Sequence, residues 1–144
     1  MIVGGDKAVP SSVEAQLRTI NVSSDRYSGE TRYETSVIIA ERASSVYNNS
    51  SILGLNGSIF ATAKNFPDAL AAGSVAGHSS SFALLVDDGN YAVVRFAGKW
   101  AKNYGNDPDM QDMVPTNAYI DGGVNAVGRS TAINLSRAMD MRIK

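Results

Sequence analysis

The densest group of side chains that could bind a ligand lies in the string D-R-Y-S-G-E-T-R-Y-E-T, residues 25–35. Arg26 and Arg32 come just before and at the start of a predicted helix. Guanidinium groups and the free N–H groups of a helix N-terminus can together hold an anion. The string therefore predicts an anion site, with Lys64 as a further cationic candidate. Surface salt bridges from the two arginines to nearby carboxylates are an equally weighted alternative.

A second group could support metal-assisted chemistry. Asp87 and Asp88 directly follow an apolar run that is typical of a buried strand, and ligands of open α/β sheets gather at the carboxyl ends of strands. Glu34 is a possible third carboxylate for a divalent metal. Asp-Asp-Gly is also ordinary turn and cap chemistry, and this structural interpretation is the favoured one. The alternative is a small doubly wound, metal-dependent enzyme that acts on a phosphorylated ligand.

Other catalytic patterns are missing from the sequence. There is no cysteine, and the single histidine, His78, follows an alanine-rich helical pattern, where a helix C-terminus favours it. The G-x-S-x-G motif of serine hydrolases does not occur. With no pairing of a nucleophile and a base, we expect no enzyme activity, no cofactor and no metal.

The elements that must position these residues alternate between short apolar runs and longer helical patterns, which predicts a parallel α/β sheet. The spacing of Ser11 with Glu14, and of Thr31 with Glu34, is that of a capping box. The predicted strands cover residues 1–3, 58–62, 82–86 and 118–120, and a short extended piece covers 21–23. The predicted helices cover residues 11–20, 31–46, 68–76, 90–104 and 130–139, and a loop covers 105–116.

The two ends of the chain are alike in sequence. Residues 2–17 align without a gap to residues 120–135 at an offset of 118, with seven identities in sixteen positions. Both copies contain a glycine pair, Gly4-Gly5 and Gly122-Gly123, directly after a predicted strand. This pattern indicates one unit of a tandem repeat, cut so that the last element of one unit precedes the next whole unit.

Composition is that of an ordinary globular protein. The 144 residues are enough for one domain with a real core, and the net charge of −1 gives no long-range attraction for nucleic acid. No run approaches the ~20 apolar residues of a membrane span. Residues 1–10 lack the basic start and apolar core of a secretory signal, so for an exported protein we expect the signal to lie upstream.

Four blocks of the sequence, in order, resemble one known family. Residues 25–40 are similar to the R-x-x-G-x-x-R-Y-x-T-A-x-x-I-A signature of the cell wall binding repeat 2 family. Its other three blocks resemble residues 60–72, 82–85 and 119–127. Phe82 replaces the family's proline, and Asp121 replaces its usual isoleucine or leucine.

The resemblance implies a three-layer, Rossmann-like or toprim-like fold with an open, mainly parallel sheet flanked by helices. It also implies a non-catalytic module, located outside the cell at the wall, that anchors a surface protein to an anionic wall polymer. The other expected partners are repeats of the same type, within one chain or as a homotrimer. We expect a single domain over 1–144, with 1–18 as the tail of a preceding repeat and 19–144 as one full repeat.

The residues expected to contact the polymer come from two sources. Arg26 and Arg32 are the candidates for meeting its charges. The family links its leucine block to polymer binding, and this block corresponds here to Leu84 and Leu85, which we expect to shape the groove.

Overall fold

The computed structural model describes residues 1–47, 57–64, 66–104 and 117–140, with five strands and five helices in these ranges. The strands are β1 (Ile2–Val3), β2 (Arg26–Tyr27), β3 (Gly57–Thr62), β4 (Ser81–Val86) and β5 (Asn117–Asp121). The helices are α1 (Ser11–Thr19), α2 (Arg32–Tyr47), α3 (Phe66–His78), α4 (Tyr91–Tyr104) and α5 (Arg129–Ala138). The loop predicted over 105–116 lies outside the described residues.

The main sheet has three parallel strands in the order β4-β3-β5. All six residues of the central strand, β3, are buried, because helices cover both of its faces. Gly57 at its start lies against β5 so closely that a Cβ there would be 2.5 Å from the Asn117 carbonyl oxygen. Strand pairing at this point therefore needs a residue without a side chain.

Two apolar clusters lie on opposite faces of this sheet. Side chains of β3 pack on one face with the alanines of α3, which permit a close helix-to-sheet approach. The other face of the sheet packs against α2, α4 and α5, and this cluster holds the larger side chains, including Phe60 and Leu84. The layers are therefore helix, sheet and helix. This confirms the predicted open α/β fold with a parallel sheet.

Helix α2 closes the outer edge of β4. The Leu85 N–H, which points away from β3, donates to Ser36 Oγ at 3.1 Å. A half-buried strand edge needs such a partner, because an unsatisfied buried N–H is costly. This contact fixes the N-terminal half of α2 beside the end of β4.

The two copies of the repeated sequence share one backbone conformation. Gly4 and Gly122 both have φ near +112°, and a Cβ there would crowd the alanine four residues later, at 3.1 and 2.9 Å. In each copy the amides three and four residues after the second glycine donate to its carbonyl, at 2.9 and 3.0 Å for Gly5 and 2.8 and 3.0 Å for Gly123. The helices that follow, α1 and α5, begin at the same 118-residue offset. The repeat is thus a structural one: strand, glycine turn and helix.

β1 pairs in parallel with β2 to form a separate two-stranded sheet. The sequence predicted an extended piece at 21–23, but the strand lies at Arg26–Tyr27, and Asn21 instead has φ +58° directly after α1. The capping box expected at Ser11 is also wrong. Ser11 is the first residue of α1, and its N-cap is Pro10, whose side chain cannot accept a hydrogen bond. The Glu14 carboxylate binds Arg26 instead.

None of the helices in the described ranges is long and apolar enough to cross a membrane.

Candidate functional site

One cleft of about 810 Å³ lies between the first glycine turn, the start of α2 and the end of β4. Its walls come from residues 3–8 and 29–32 and from Thr35, Ser36, Ile39, Ala69, Ala83 and Leu85. Two cations, Lys7 and Arg32, and two carboxylates, Asp6 and Glu30, line it. The cleft is therefore formally neutral, with a floor of small and apolar side chains.

The start of α2 is built largely as its sequence predicts. The Thr31 hydroxyl accepts the Glu34 N–H at 3.2 Å, which is one half of the expected capping box. The reciprocal bond is shifted by one residue, because the Glu34 carboxylate accepts the Glu30 N–H at 2.8 Å. Gly29 packs against this turn, where a Cβ would lie 2.4 Å from Glu34 Cβ. The turn thus holds the neighbouring Arg32 at the mouth of the cleft.

Arg32 is anchored but keeps most of its hydrogen-bonding capacity. One guanidinium nitrogen, Nη1, donates to the Ala63 carbonyl at the end of β3, at 2.9 Å. No carboxylate in the described ranges forms an ion pair with Arg32. Its other N–H groups can therefore meet a ligand in the cleft.

The Arg26 side chain binds groups within the fold. Its Nε donates to Glu14 Oε1 at 2.6 Å and its Nη1 to the Gly4 carbonyl at 2.6 Å, while the side chain is only 18% exposed. The guanidinium therefore ties β2 to the first glycine turn and to α1. Arg32 therefore lines the cleft whereas Arg26 does not, and the Arg26 contacts are to groups of the fold.

The two leucines of β4 lie on opposite faces of the sheet. Leu84 is 0% exposed and belongs to the core cluster with α2, α4 and α5, so its side chain lies inside the fold. Leu85 is half-buried and lines the cleft. This alternation follows from the period of two in a strand, which an unbroken apolar run does not reveal.

The carboxylates at the end of β4 are used separately. Asp87 Oδ1 lies 2.9 Å from Lys64 Nζ, so the two side chains form an ion pair. The pKa of Tyr33 is raised by burial first and by the hydrogen bond and negative charge of Asp87 next. The pKa of Lys64 is raised chiefly by its hydrogen bond to Asp87. The third cationic candidate of the sequence is therefore paired.

Asp88 fixes the start of α5. Its Oδ1 accepts the Gly128 N–H at 3.0 Å and the Thr131 hydroxyl, and the hydroxyl bond is the main reason that its pKa is lowered. In the first copy of the repeat, Pro10 and Val13 occupy the positions of Gly128 and Thr131 and cannot make these bonds. Asp88 thus acts as the cap and docking point of α5.

These positions do not favour the metal-dependent alternative. Asp87 pairs with Lys64, and Asp88 turns towards α5. Glu34 is part of the α2 turn. In the described ranges no group of three acidic, histidine or cysteine side chains could hold a metal ion. His78 is the last residue of α3, as its sequence position predicts.

A basic groove of about 520 Å³ between α4 and α5 was missed by the sequence interpretation. Arg95, Lys99, Lys102 and Arg137 line it, and among the described lining residues the one carboxylate is that of Asp140, which is paired with Lys102. The other three cations form no ion pair with any described carboxylate. The groove is thus strongly positive in a chain whose net charge is −1.

The residues that α4 contributes to this groove could have been predicted from their spacing in the sequence. Tyr91, Arg95, Lys99 and Lys102 lie four, four and three residues apart, which places them on one face of α4. Arg137 comes from a helix more than thirty residues later, and only the packing of α4 on α5 brings it close. A helical charge stripe could have been identified, but not the groove.

Two comparisons show which known proteins the chain is similar to. The model of the family described as cell wall binding domain 2 (CWB2) matches residues 26–133, which is most of the chain. Among solved structures, Cwp8 from Clostridium difficile matches 96% of this chain with a TM-score of 0.68 and 22% sequence identity. This chain spans 20% of the length of that one, and the likeness supports the fold. No curated protein sequence matches the chain.

Proposed function

Since this chain belongs to the cell wall binding domain 2 family, we propose that it is a non-catalytic module that attaches a surface protein to an anionic polymer of the Gram-positive cell wall. The attachment takes place outside the cell. The basic groove between α4 and α5 is the observation that carries the choice of an anionic ligand. Three of its cations have no protein partner among the described residues, so a polyanion can provide the counter-charges.

The cleft is proposed as the second contact of the same polymer. Its formal neutrality and its apolar floor suit the sugar part of a polymer better than a run of negative groups. Arg32 supplies one charged contact and Leu85 one apolar surface. Arg26 and Leu84 are not among the proposed contacts, because one is engaged within the fold and the other is fully buried.

Repeats of the same type are proposed as the other partners. One module with a few exposed ion pairs binds weakly, since each exposed pair contributes about 0.2–1 kcal/mol. Linked modules gain affinity through a high effective concentration without any new contact. A repeated, weak polymer site is therefore an effective anchor.

The experiment is a pull-down on purified wall sacculi, with and without chemical removal of the anionic polymers. We expect the chain to bind intact sacculi and to lose most of this binding on stripped ones. The double variant Arg95→Ala, Lys99→Ala should bind about three- to tenfold more weakly, because it loses two exposed cation contacts. Arg32→Ala tests the cleft in the same assay.

Arg129→Ala is the matched control, because Arg129 is exposed and lines neither the cleft nor the groove. Equal binding to intact and stripped sacculi would refute the anionic ligand. If the double variant and Arg32→Ala both bind like the control, the two surfaces are not the contact sites.

A further inference from the structure

β1 and β5 are copies of one element, yet they pair with different strands. The Ile2 N–H donates to the Asp25 carbonyl at 2.7 Å, and the Gly4 N–H donates to the Tyr27 carbonyl at 3.0 Å, so β1 lies beside β2. β5 lies beside β3 instead. A strand has two edges that can pair, and the edge used by β1 can be compared with the edge used by β5.

β1 and β5 pair through opposite edges of the strand. Along a strand, successive N–H and C=O groups point alternately to the two neighbours. On β5 the Asn117 carbonyl points towards β3, since it lies 2.5 Å from the position of a Cβ on Gly57. The Gly122 N–H, the counterpart of the Gly4 N–H, has no acceptor in the part of the chain that is described. Ile120 and Gly122 therefore point away from β3, towards an edge that no described strand covers.

The exposure of equivalent side chains shows that the outer edge of β5 lacks a neighbouring strand. Ile2 is 7% exposed, whereas Ile120, the same residue at the equivalent position, is 39% exposed. The adjacent Tyr119 and Val124 are also exposed apolar side chains, at 54% and 76%. Ile2 differs from Ile120 in that the strand β2 lies beside it. The second copy of the element is complete except for that neighbour.

We propose that the outer edge of β5 docks β2 of a second unit of this kind, in the register that β1 uses here. In this joint, Ile120 N–H donates to the second unit's Asp25 carbonyl and Gly122 N–H to its Tyr27 carbonyl. The second unit's Arg26 donates to the Gly122 carbonyl, as Arg26 does to the Gly4 carbonyl in this chain. Its carboxylate partners Asp6 and Glu14 are replaced at the joint by Val124 and Ala132, so only the carbonyl bond is kept. β5, its glycine turn and α5 thus act as β1, turn and α1 of the next unit.

The joint builds a second cleft. Residues 3–8 form one wall of the cleft in this chain, so residues 121–126 form that wall at the joint. In the second cleft, Asp121, Val124 and Asn125 replace Val3, Asp6 and Lys7. Asp121 also has a carboxylate oxygen that is buried without a hydrogen-bond partner among the described residues, and the joint places it beside the second unit. Successive clefts in an array therefore differ in charge.

The test is a tandem chain in which residues 1–140 are followed directly by residues 22–144. This junction aligns the left-handed residues Asp140 and Asn21, which follow α5 and α1. The measurement is amide hydrogen exchange by NMR at Ile120 and Gly122 of the first unit. We expect exchange at least about tenfold slower than in the 144-residue chain, since a strand pair protects these groups.

A matched pair of variants gives a second measurement. Ile120→Ala should lower the melting temperature more in the tandem chain than in the single chain, whereas Lys99→Ala should have the same effect in both. Unchanged exchange at Ile120 and Gly122 would overturn the proposal. So would a tandem chain whose second unit, which lacks its own residues 1–21, does not fold. None of these measurements involves a wall polymer, so their failure and the failure of wall binding are distinguishable.

Discussion

At the scale of single residues, the Arg26 guanidinium connects segments that are 12 and 22 positions away in sequence. It satisfies the carbonyl of a turn and the carboxylate of a helix at once. Charge-assisted bonds of this kind, shielded from solvent, stabilise a fold more than exposed ion pairs do. The residue that suggests ligand binding in the sequence is therefore needed for the two-stranded sheet.

Arg26→Ala should lower the free energy of unfolding by about 2 kcal/mol, because it leaves Glu14 and the Gly4 carbonyl without their shielded partner. Urea denaturation monitored by circular dichroism measures this loss. The exposed control Arg129→Ala should stay within about 0.5 kcal/mol of the wild type. Equal stability of Arg26→Ala and the control would contradict the structural position of Arg26.

Asp88 makes part of the stability dependent on pH. Its folded-state pKa is lowered from 3.8 by the Thr131 hydroxyl and the Gly128 N–H. A lowered folded pKa means that the contribution is complete above the unfolded value and is lost as the pH falls through the folded one. We expect Asp88→Asn to be less stable than the wild type at neutral pH, and the difference to shrink below about pH 3.8. Urea midpoints measured across this range test it, and a constant difference would refute the cap.

At the scale of elements, the β3–β5 pair depends on one glycine. A side chain at Gly57 would collide with the backbone of Asn117, which cannot rotate out of the way. Gly57→Ala should lower the free energy of unfolding by about 2 kcal/mol or more, since it adds a methyl group where the packing leaves no space. Gly73→Ala is the matched control, because open space surrounds Gly73 in α3 and alanine favours a helix by about 1 kcal/mol. Thermal melts should shift in opposite directions, and a shared direction would contradict the packing at β3.

The seal between α2 and β4 gives another test at this scale. Ser36→Ala removes the acceptor of the Leu85 N–H and should cost about 1 kcal/mol or more. Ser74→Ala is a fitting comparison, because this exposed hydroxyl bonds only to a carbonyl of its own helix. Amide exchange at Leu85 should speed up in the first variant and stay unchanged in the second. Slow exchange in both would show that the Ser36 hydroxyl is not what protects the Leu85 N–H.

At the scale of the whole molecule, positive charge is concentrated in one groove although the net charge is slightly negative. The net charge of −1 repels a polyanion slightly, so attraction depends on the groove between α4 and α5. Binding to sacculi should therefore weaken as salt rises from about 0.05 to 0.5 M, since exposed charges are screened. Arg95→Ala with Lys99→Ala should flatten this dependence. Binding that does not respond to salt would exclude electrostatic attachment.

Much of this fold follows from local patterns. The apolar run at 82–86 and the periodic segment at 31–46 predict β4 and α2 to within one residue at each end, because their hydrophobic pattern and cap agree. The glycine turn was identified through its recurrence. The open α/β class followed from the alternation of elements.

The site was less predictable because it depends on tertiary contacts. Glu14 has the spacing of a capping residue, yet it binds Arg26. β2 has only two residues, too few for any periodic signal. Leu84 and Leu85 are chemically alike, and only the pairing of β4 with β3 decides which one faces the cleft. Sequence patterns therefore indicated the family and the elements, but not which charged groups remain free.

The exposed edge of β5 also has a consequence for handling and evolution. No strand in the described ranges covers this edge, and Tyr119 and Ile120 are exposed beside it. Such an edge is a template for self-pairing and aggregation at high concentration. Under the proposed joint, each added module shields the edge before it and exposes its own. A long array then has one exposed strand edge, as a single module has. Additional modules would therefore strengthen attachment to the wall without increasing the tendency to aggregate.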